Sequence, residues 1–121
     1  MRVQKLKDVR VLFVEDDELT RVVLGKHLEK KYSTIFEASD GAEGLKIYKR
    51  EMPDIVVTDI TMPIMNGNEM LNHIFKIKPD QPVVVLTGYS EDSEFTGDVK
   101  ILHKPVVAAD VMLLIDSFIE G

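Results

Sequence analysis

The chain has 121 residues, 45% of them hydrophobic and 30% charged, which suits one compact domain able to bury a core without disulfides. It has no cysteine, which excludes a disulfide framework and a thiolate zinc site. Its formal charge of -6, from 21 acidic against 15 basic residues, argues against nucleic-acid binding, because phosphate neutralisation needs clustered Lys and Arg.

The N-terminus Met1-Arg2-Val3-Gln4-Lys5 is basic, but no signal-peptide apolar run follows it. No stretch approaches the length of a membrane span, so a soluble cytoplasmic protein without membrane contact is expected. Residues 10–15 read as a strand. Residues 18–31 read as a helix, with Leu19, Val22, Val23 and Leu28 on its apolar side. The cluster Lys26, Lys30 and Lys31 reads as a solvated helix face. A short strand covers 34–38. Asp40 and Glu43 form a capping-box-like pair that opens a helix running to about Glu51, stopped before Pro53.

The third strand covers 54–59, and a loop with Pro63 follows. Asn66 and Glu69 repeat the capping pattern ahead of a helix bearing Met70, Leu71, Ile74 and Phe75 on one face. Strands at 82–87 and 98–103 and a helix at 106–119 complete the order. That helix has Val107, Val111, Leu114, Ile115 and Phe118 at helical spacing. Strands separated by helices predict a parallel sheet with right-handed crossovers and helices on both faces.

Two apolar runs end in acids. Val11-Leu12-Phe13-Val14 leads into Glu15-Asp16-Asp17, and Ile55-Val56-Val57-Thr58 leads into Asp59. If these strands are neighbours, their carboxyl ends collect the acids in one crevice, where open α/β sheets bind ligands. Two carboxylates about 4 Å apart repel by roughly 4 kcal/mol at an effective dielectric of about 20. Such a site needs a cation, raised pKa values, or both, which points to a divalent metal. Thr87 and Lys104 fall at the same edge of the predicted sheet.

The stretches VLFVEDDELTR, VVTDITMPIMNG, VVVLTG and the terminal HKP, in this order and spacing, resemble the receiver domain of two-component response regulators. The resemblance runs from about Val9 to Ile119 and gives a receiver domain over 9–121 behind an N-terminal extension at 1–8. It implies a doubly wound, flavodoxin-like sheet of five parallel strands in the order 2-1-3-4-5, an order for which general fold rules already cite a chemotaxis receiver protein.

By the same resemblance, Asp59 is the phosphoryl acceptor, charged from a phosphohistidine on a sensor histidine kinase or phosphotransfer protein. Asp16 is the direct ligand of Mg²⁺ (or Mn²⁺), Glu15 acts through a bound water, and the Thr61 carbonyl is a further ligand. The Thr87 hydroxyl and the Lys104 ammonium bind the transferred group, which carries about -1.5 to -2 charges near neutral pH. Pro105 follows a cis peptide in the family. Gly88 leaves the site open to water or a small phosphodonor. Asp17 reads as the cap of the first helix. His27 and His73 lie within helices without ligand spacing and read as surface residues; His103 adjoins Lys104.

Two departures mark this chain. Sixteen residues separate Thr87 from Lys104, too few for the family's fourth helix at full length beside a strand. A shortened or missing helix is therefore expected over 88–98, GYSEDSEFTGD. Ile101 stands where the family usually has Tyr or Phe, so the aromatic rearrangement that relays the signal is lost, with Tyr89 a partial substitute for the ring. Both alter the face through which many members dimerise or meet effectors.

The expected function is a phosphorylation-dependent switch rather than an enzyme. The competing reading is a constitutive pseudo-receiver that only binds partners. A haloacid-dehalogenase-like phosphatase is disfavoured because D-x-D follows neither strand, and a dinucleotide or flavin carrier because no G-x-G-x-x-G is present.

Overall fold

The computed structural model describes residues 8–88 and 97–120. Its elements are β1 (Arg10–Val14), α1 (Glu18–Glu29), β2 (Thr34–Ala38), α2 (Gly41–Glu51), β3 (Ile55–Asp59), α3 (Gly67–Ile77), β4 (Pro82–Thr87), β5 (Asp98–His103) and α4 (Ala108–Glu120). All strands pair in parallel, in the order β2-β1-β3-β4-β5. The expected fold class is therefore observed. Of the segment where a shortened or missing helix is expected, residues 89–96, Tyr89 among them, lie outside the described residues.

The pleat sorts each central strand between two helical layers. Leu12, Val14, Val56, Val83 and Val85 face α2 and α3, where Leu45, Tyr48, Met70, Leu71 and Ile74 meet them. Val11, Phe13, Ile55, Val57, Val84 and Leu86 face α1 and α4, against Leu24, Leu28, Val111 and Ile115. Strands buried on both faces read as unbroken apolar runs, which is why β1, β3 and β4 carry them. Among the described residues, no helix is long and apolar enough to cross a membrane.

Helix ends follow local chemistry. Asp17 caps α1, its carboxylate accepting the Thr20 N–H at 2.9 Å. Asn66 and Glu69 close a full capping box on α3, with the Glu69 N–H donating to Asn66 at 2.9 Å and the Asn66 N–H to Glu69 at 3.3 Å. Asp40 caps α2, but Glu43 reaches one residue further back and accepts the Ser39 N–H at 2.7 Å.

Three expectations about the outer helices need correction. The buried face of α1 is Leu24, Gly25 and Leu28; Leu19 is 73% exposed, and Val22 and Val23 face solvent. The helix is turned so that Gly25 meets β2, which swings the earlier apolar positions outward. It also ends at Glu29, and Lys31 pairs with Asp116 of α4 while Tyr32 donates to the same carboxylate at 2.8 Å. Lys31 is thus part of an inter-helix contact, whereas Lys26 and Lys30 are exposed. The last helix begins at Ala108, leaving Val107 exposed in the connection before it.

A buried polar pair sits on the α2 side of the sheet: the Tyr48 hydroxyl donates to Gln81 Oε1 at 2.7 Å, and Gln81 Nε2 donates to the carbonyls of Asp54 and Pro82. Removing the hydroxyl leaves a buried amide oxygen unpaired. Tyr48→Phe is expected to cost about 1–3 kcal/mol in urea unfolding.

The β3–α3 loop holds a second local cost. Ile64 has φ 70°, and the Met65 N–H donates across it to the Pro63 carbonyl at 2.7 Å, the pattern of a γ-turn with a left-handed centre. A β-branched residue is strained there, and its side chain is 83% exposed, so packing returns nothing. Ile64→Gly is expected to stabilise the fold by about 1 kcal/mol in the same assay, the strain relieved slightly exceeding the added chain entropy of glycine.

Candidate functional site

β1 and β3 are hydrogen-bonded neighbours with Val14 opposite Thr58, so the residues that follow, Glu15 and Asp59, stand side by side at the carboxyl edge. Carboxylate oxygens of Glu15, Asp16 and Asp59 all lie within 4.8 Å of one another. Glu15 is 1% and Asp59 4% exposed, while Asp16 faces solvent.

Each acid is held differently. The Asp17 N–H donates to Glu15 Oε2 at 3.1 Å, while Glu15 Oε1 is buried with no hydrogen-bond partner among the described residues. Asp59 Oδ1 accepts the Ile60 N–H at 2.8 Å, and Asp59 Oδ2 accepts from Lys104 Nζ at 2.8 Å. Lys104 is delivered by pairing: β5 runs beside β4 with His103 opposite Thr87, and the Lys104 N–H donates to the Thr87 carbonyl at 2.8 Å. The Lys104–Pro105 peptide is cis, as the resemblance implied.

Thr87 is buried at the end of β4, its hydroxyl donating to the Gly88 carbonyl at 3.1 Å. Among the described residues, a side chain built on Gly88 would meet no atom within 4 Å. Thr61 is exposed in the loop after β3. Ile101 lies on edge strand β5, opposite Val85 and 44% exposed. His27, His73 and His103 are all exposed.

Charge explains the titration. Burial and the charge of Asp59 push the Glu15 carboxyl up to about 7, against the opposing Asp17 N–H and Lys104. Burial disfavours the Lys104 ammonium, but its hydrogen bond to Asp59 and the charges of Asp59, Glu15 and Asp16 outweigh that and raise its pKa. Among the described residues, Lys104 is the cation that pairs with the three converging carboxylates, through Asp59. The donor set is all oxygen, and one oxygen is buried without a partner among the described residues. Both features fit a hard divalent ion.

Two contributors lay within the motifs but were not singled out. Arg21 Nη1 donates to the Glu15 carbonyl at 2.7 Å. Gly67 starts α3 against the end of β3, where an added Cβ would stand 2.3 Å from the Asp59 carbonyl oxygen. Gly67 has to be glycine because backbone meets backbone there.

A family model described as the response regulator receiver domain matches residues 11–115. The chain belongs to that family. As a receiver domain it is a module of two-component or chemotaxis signalling, a family of phosphoacceptor proteins. It is 31% identical over 119 residues to the transcriptional regulatory protein GlrR of Escherichia coli (strain K12), covering 94% of this chain but only 27% of GlrR. It is likewise 31% identical over 115 residues to the response regulator receiver protein CpdR of Brucella abortus, covering 91% of this chain and 96% of CpdR. Among solved structures it resembles the CheX-CheY-BeF3-Mg+2 complex from Borrelia burgdorferi, with a TM-score of 0.79, 28% identity, and 91% of this chain and 88% of that one covered.

The raised pKa of Glu15 makes the stability of this receiver domain depend on pH. The native state holds the Glu15 proton more tightly than the unfolded chain, so this contribution is complete below 4.5 and lost as pH rises through about 7. Without divalent metal, Glu15→Gln is expected to be more stable than wild type by about 1–3 kcal/mol at about pH 8 and equal to it at about pH 4. Calorimetric melting at the two pH values checks this.

Proposed function

We propose that this receiver domain, occupying residues 9–121 behind an extension at 1–8, is a switch set by phosphorylation of Asp59. The observation that carries the reading is the convergence of Glu15, Asp16 and Asp59 within 4.8 Å, with Lys104 Nζ 2.8 Å from the Asp59 carboxylate.

The donor is a phosphohistidine on a sensor histidine kinase or phosphotransfer protein. A carboxylate oxygen of Asp59 forms the new P–O bond, the P–N bond to the histidine breaks, and the nitrogen keeps the electron pair. Asp16 and Asp59, Glu15 through a water, and the Thr61 carbonyl would hold Mg²⁺ (or Mn²⁺). That ion supplies charge neutralisation between the carboxylates and the phosphoryl oxygens. Lys104, already paired with Asp59, can follow the negative charge onto the phosphoryl group. The Thr87 hydroxyl can turn from the Gly88 carbonyl to donate to the same group. Gly88, having no side chain, leaves access for the water that later hydrolyses the acyl phosphate and resets the switch. Self-catalysed transfer and hydrolysis are the only chemistry assigned; the domain is otherwise not an enzyme.

The readout differs from that of most receivers. Ile101 cannot swing an aromatic ring inward when Thr87 moves, and the 88–98 segment is short. The face around β5 and α4 then meets a downstream effector, or a second copy of the chain, by another rearrangement. Ile101 also favours one competing reading, a constitutive pseudo-receiver that is never phosphorylated. Acetyl phosphate labelling separates the two. Wild type is expected to gain one phosphoryl group in Mg²⁺, and to lose that gain in EDTA or as Asp59→Asn. A wild-type chain that stays unlabelled in Mg²⁺ is the pseudo-receiver.

A further inference from the structure

Glu15 is pinned at both of its peptide groups. Its N–H donates to the Ala38 carbonyl of β2 at 3.0 Å, and its carbonyl accepts from Arg21 Nη1 at 2.7 Å. The first bond prolongs sheet pairing past the end of β1. The second comes from a side chain one turn into α1.

Arg21 is itself held from β2. Its Nε lies 3.9 Å from Glu37 Oε1, and its side chain is 19% exposed. One helical turn on, Gly25 makes the space for that carboxylate, since a Cβ on Gly25 would stand 2.5 Å from Glu37 Oε2. Arg21 and Gly25 are four residues apart and so share a helix face. The guanidinium thus ties β2, α1 and the acidic loop together in one place.

We propose that Arg21 is the positioning residue of the acidic site, fixing the Glu15 peptide so that the Glu15 and Asp16 carboxylates converge on Asp59, with Glu37 seated over Gly25 to hold Arg21 in place. The inference rests on the phosphoacceptor reading. Three repelling carboxylates tend to splay. A loop fixed at one peptide group can still rotate about the next bonds, whereas Glu15 held at N–H and C=O cannot. Arg21 does this without presenting its charge to the ligand, because it grips a carbonyl on the strand side of the loop. A lysine at position 21 offers a flexible point charge in place of a planar fork and would hold both partners less well.

The test is magnesium affinity, read from backbone amide shifts of Asp16 and Asp59 in an NMR titration. Arg21→Gln is expected to weaken Mg²⁺ binding about tenfold, at the low end of effects for groups that orient metal ligands. Arg21→Lys is expected to recover part of the loss, to within about threefold of wild type. Gly25→Ala keeps every charge and favours helix, yet displaces the Glu37 carboxylate; it is expected to weaken binding about threefold, and it carries the test should Arg21→Gln not fold. A merely structural arginine would lower the melting temperature of the metal-free protein and leave the titration unchanged. Arg21→Gln binding Mg²⁺ within about twofold of wild type overturns the inference alone. A wild-type chain that never saturates with Mg²⁺ overturns the phosphoacceptor reading, and this inference with it.

Discussion

Mutual repulsion among Glu15, Asp16 and Asp59 is the constraint around which the rest of the molecule is arranged. Charges this close oppose the fold that gathers them, and two of the three are nearly out of solvent. The cost is met in several ways. Glu15 takes a raised pKa, Lys104 donates to Asp59, and the Asp17 and Ile60 N–H groups donate to Glu15 and Asp59. One oxygen of Glu15 is buried with no hydrogen-bond partner among the described residues, an acceptor that a proton or a cation would satisfy. The site is in this sense incomplete as a set of protein groups.

The scaffold makes the arrangement possible because its interior is apolar on both faces of the sheet. Two buried layers hold β1, β3 and β4 in register, and a fixed register leaves the residues after Val14, Asp59 and Thr87 no choice of neighbour. Reactive groups then sit on loops carried by a rigid frame. The frame reaches into the loops as well. Gly67 lets α3 start against the Asp59 backbone, and the Ala38 carbonyl extends pairing to Glu15. Strain is tolerated at Ile64, within the loop that follows Asp59.

Much of this was legible from residue order. The apolar runs ending in acids marked β1 and β3, the Asp17 cap and the Asn66–Glu69 box marked the starts of α1 and α3, and the four motifs together marked the family. Among the described residues, the corrections fall on the outer helices. Leu19, Val22 and Val23 have helical spacing but face water, since periodicity says that a stripe exists and not which of two overlapping stripes meets the sheet. Lys31 looked like a solvated lysine because its partner Asp116 is 85 positions away.

Local pattern decides what short-range physics decides: strand against helix, where a helix starts, and which residues can carry charge to a strand end. It was enough to name Glu15, Asp16, Asp59, Thr87 and Lys104 as a set. Tertiary structure alone decided the quantities that depend on neighbours remote in the chain. These are the burial that raises Glu15, the Lys104–Asp59 contact, and the grip of Arg21 on the Glu15 carbonyl with Glu37 behind it. Desolvation and charge coupling fall off within a few ångströms of space, and no spacing along the chain records which side chains the crossovers will bring inside that range.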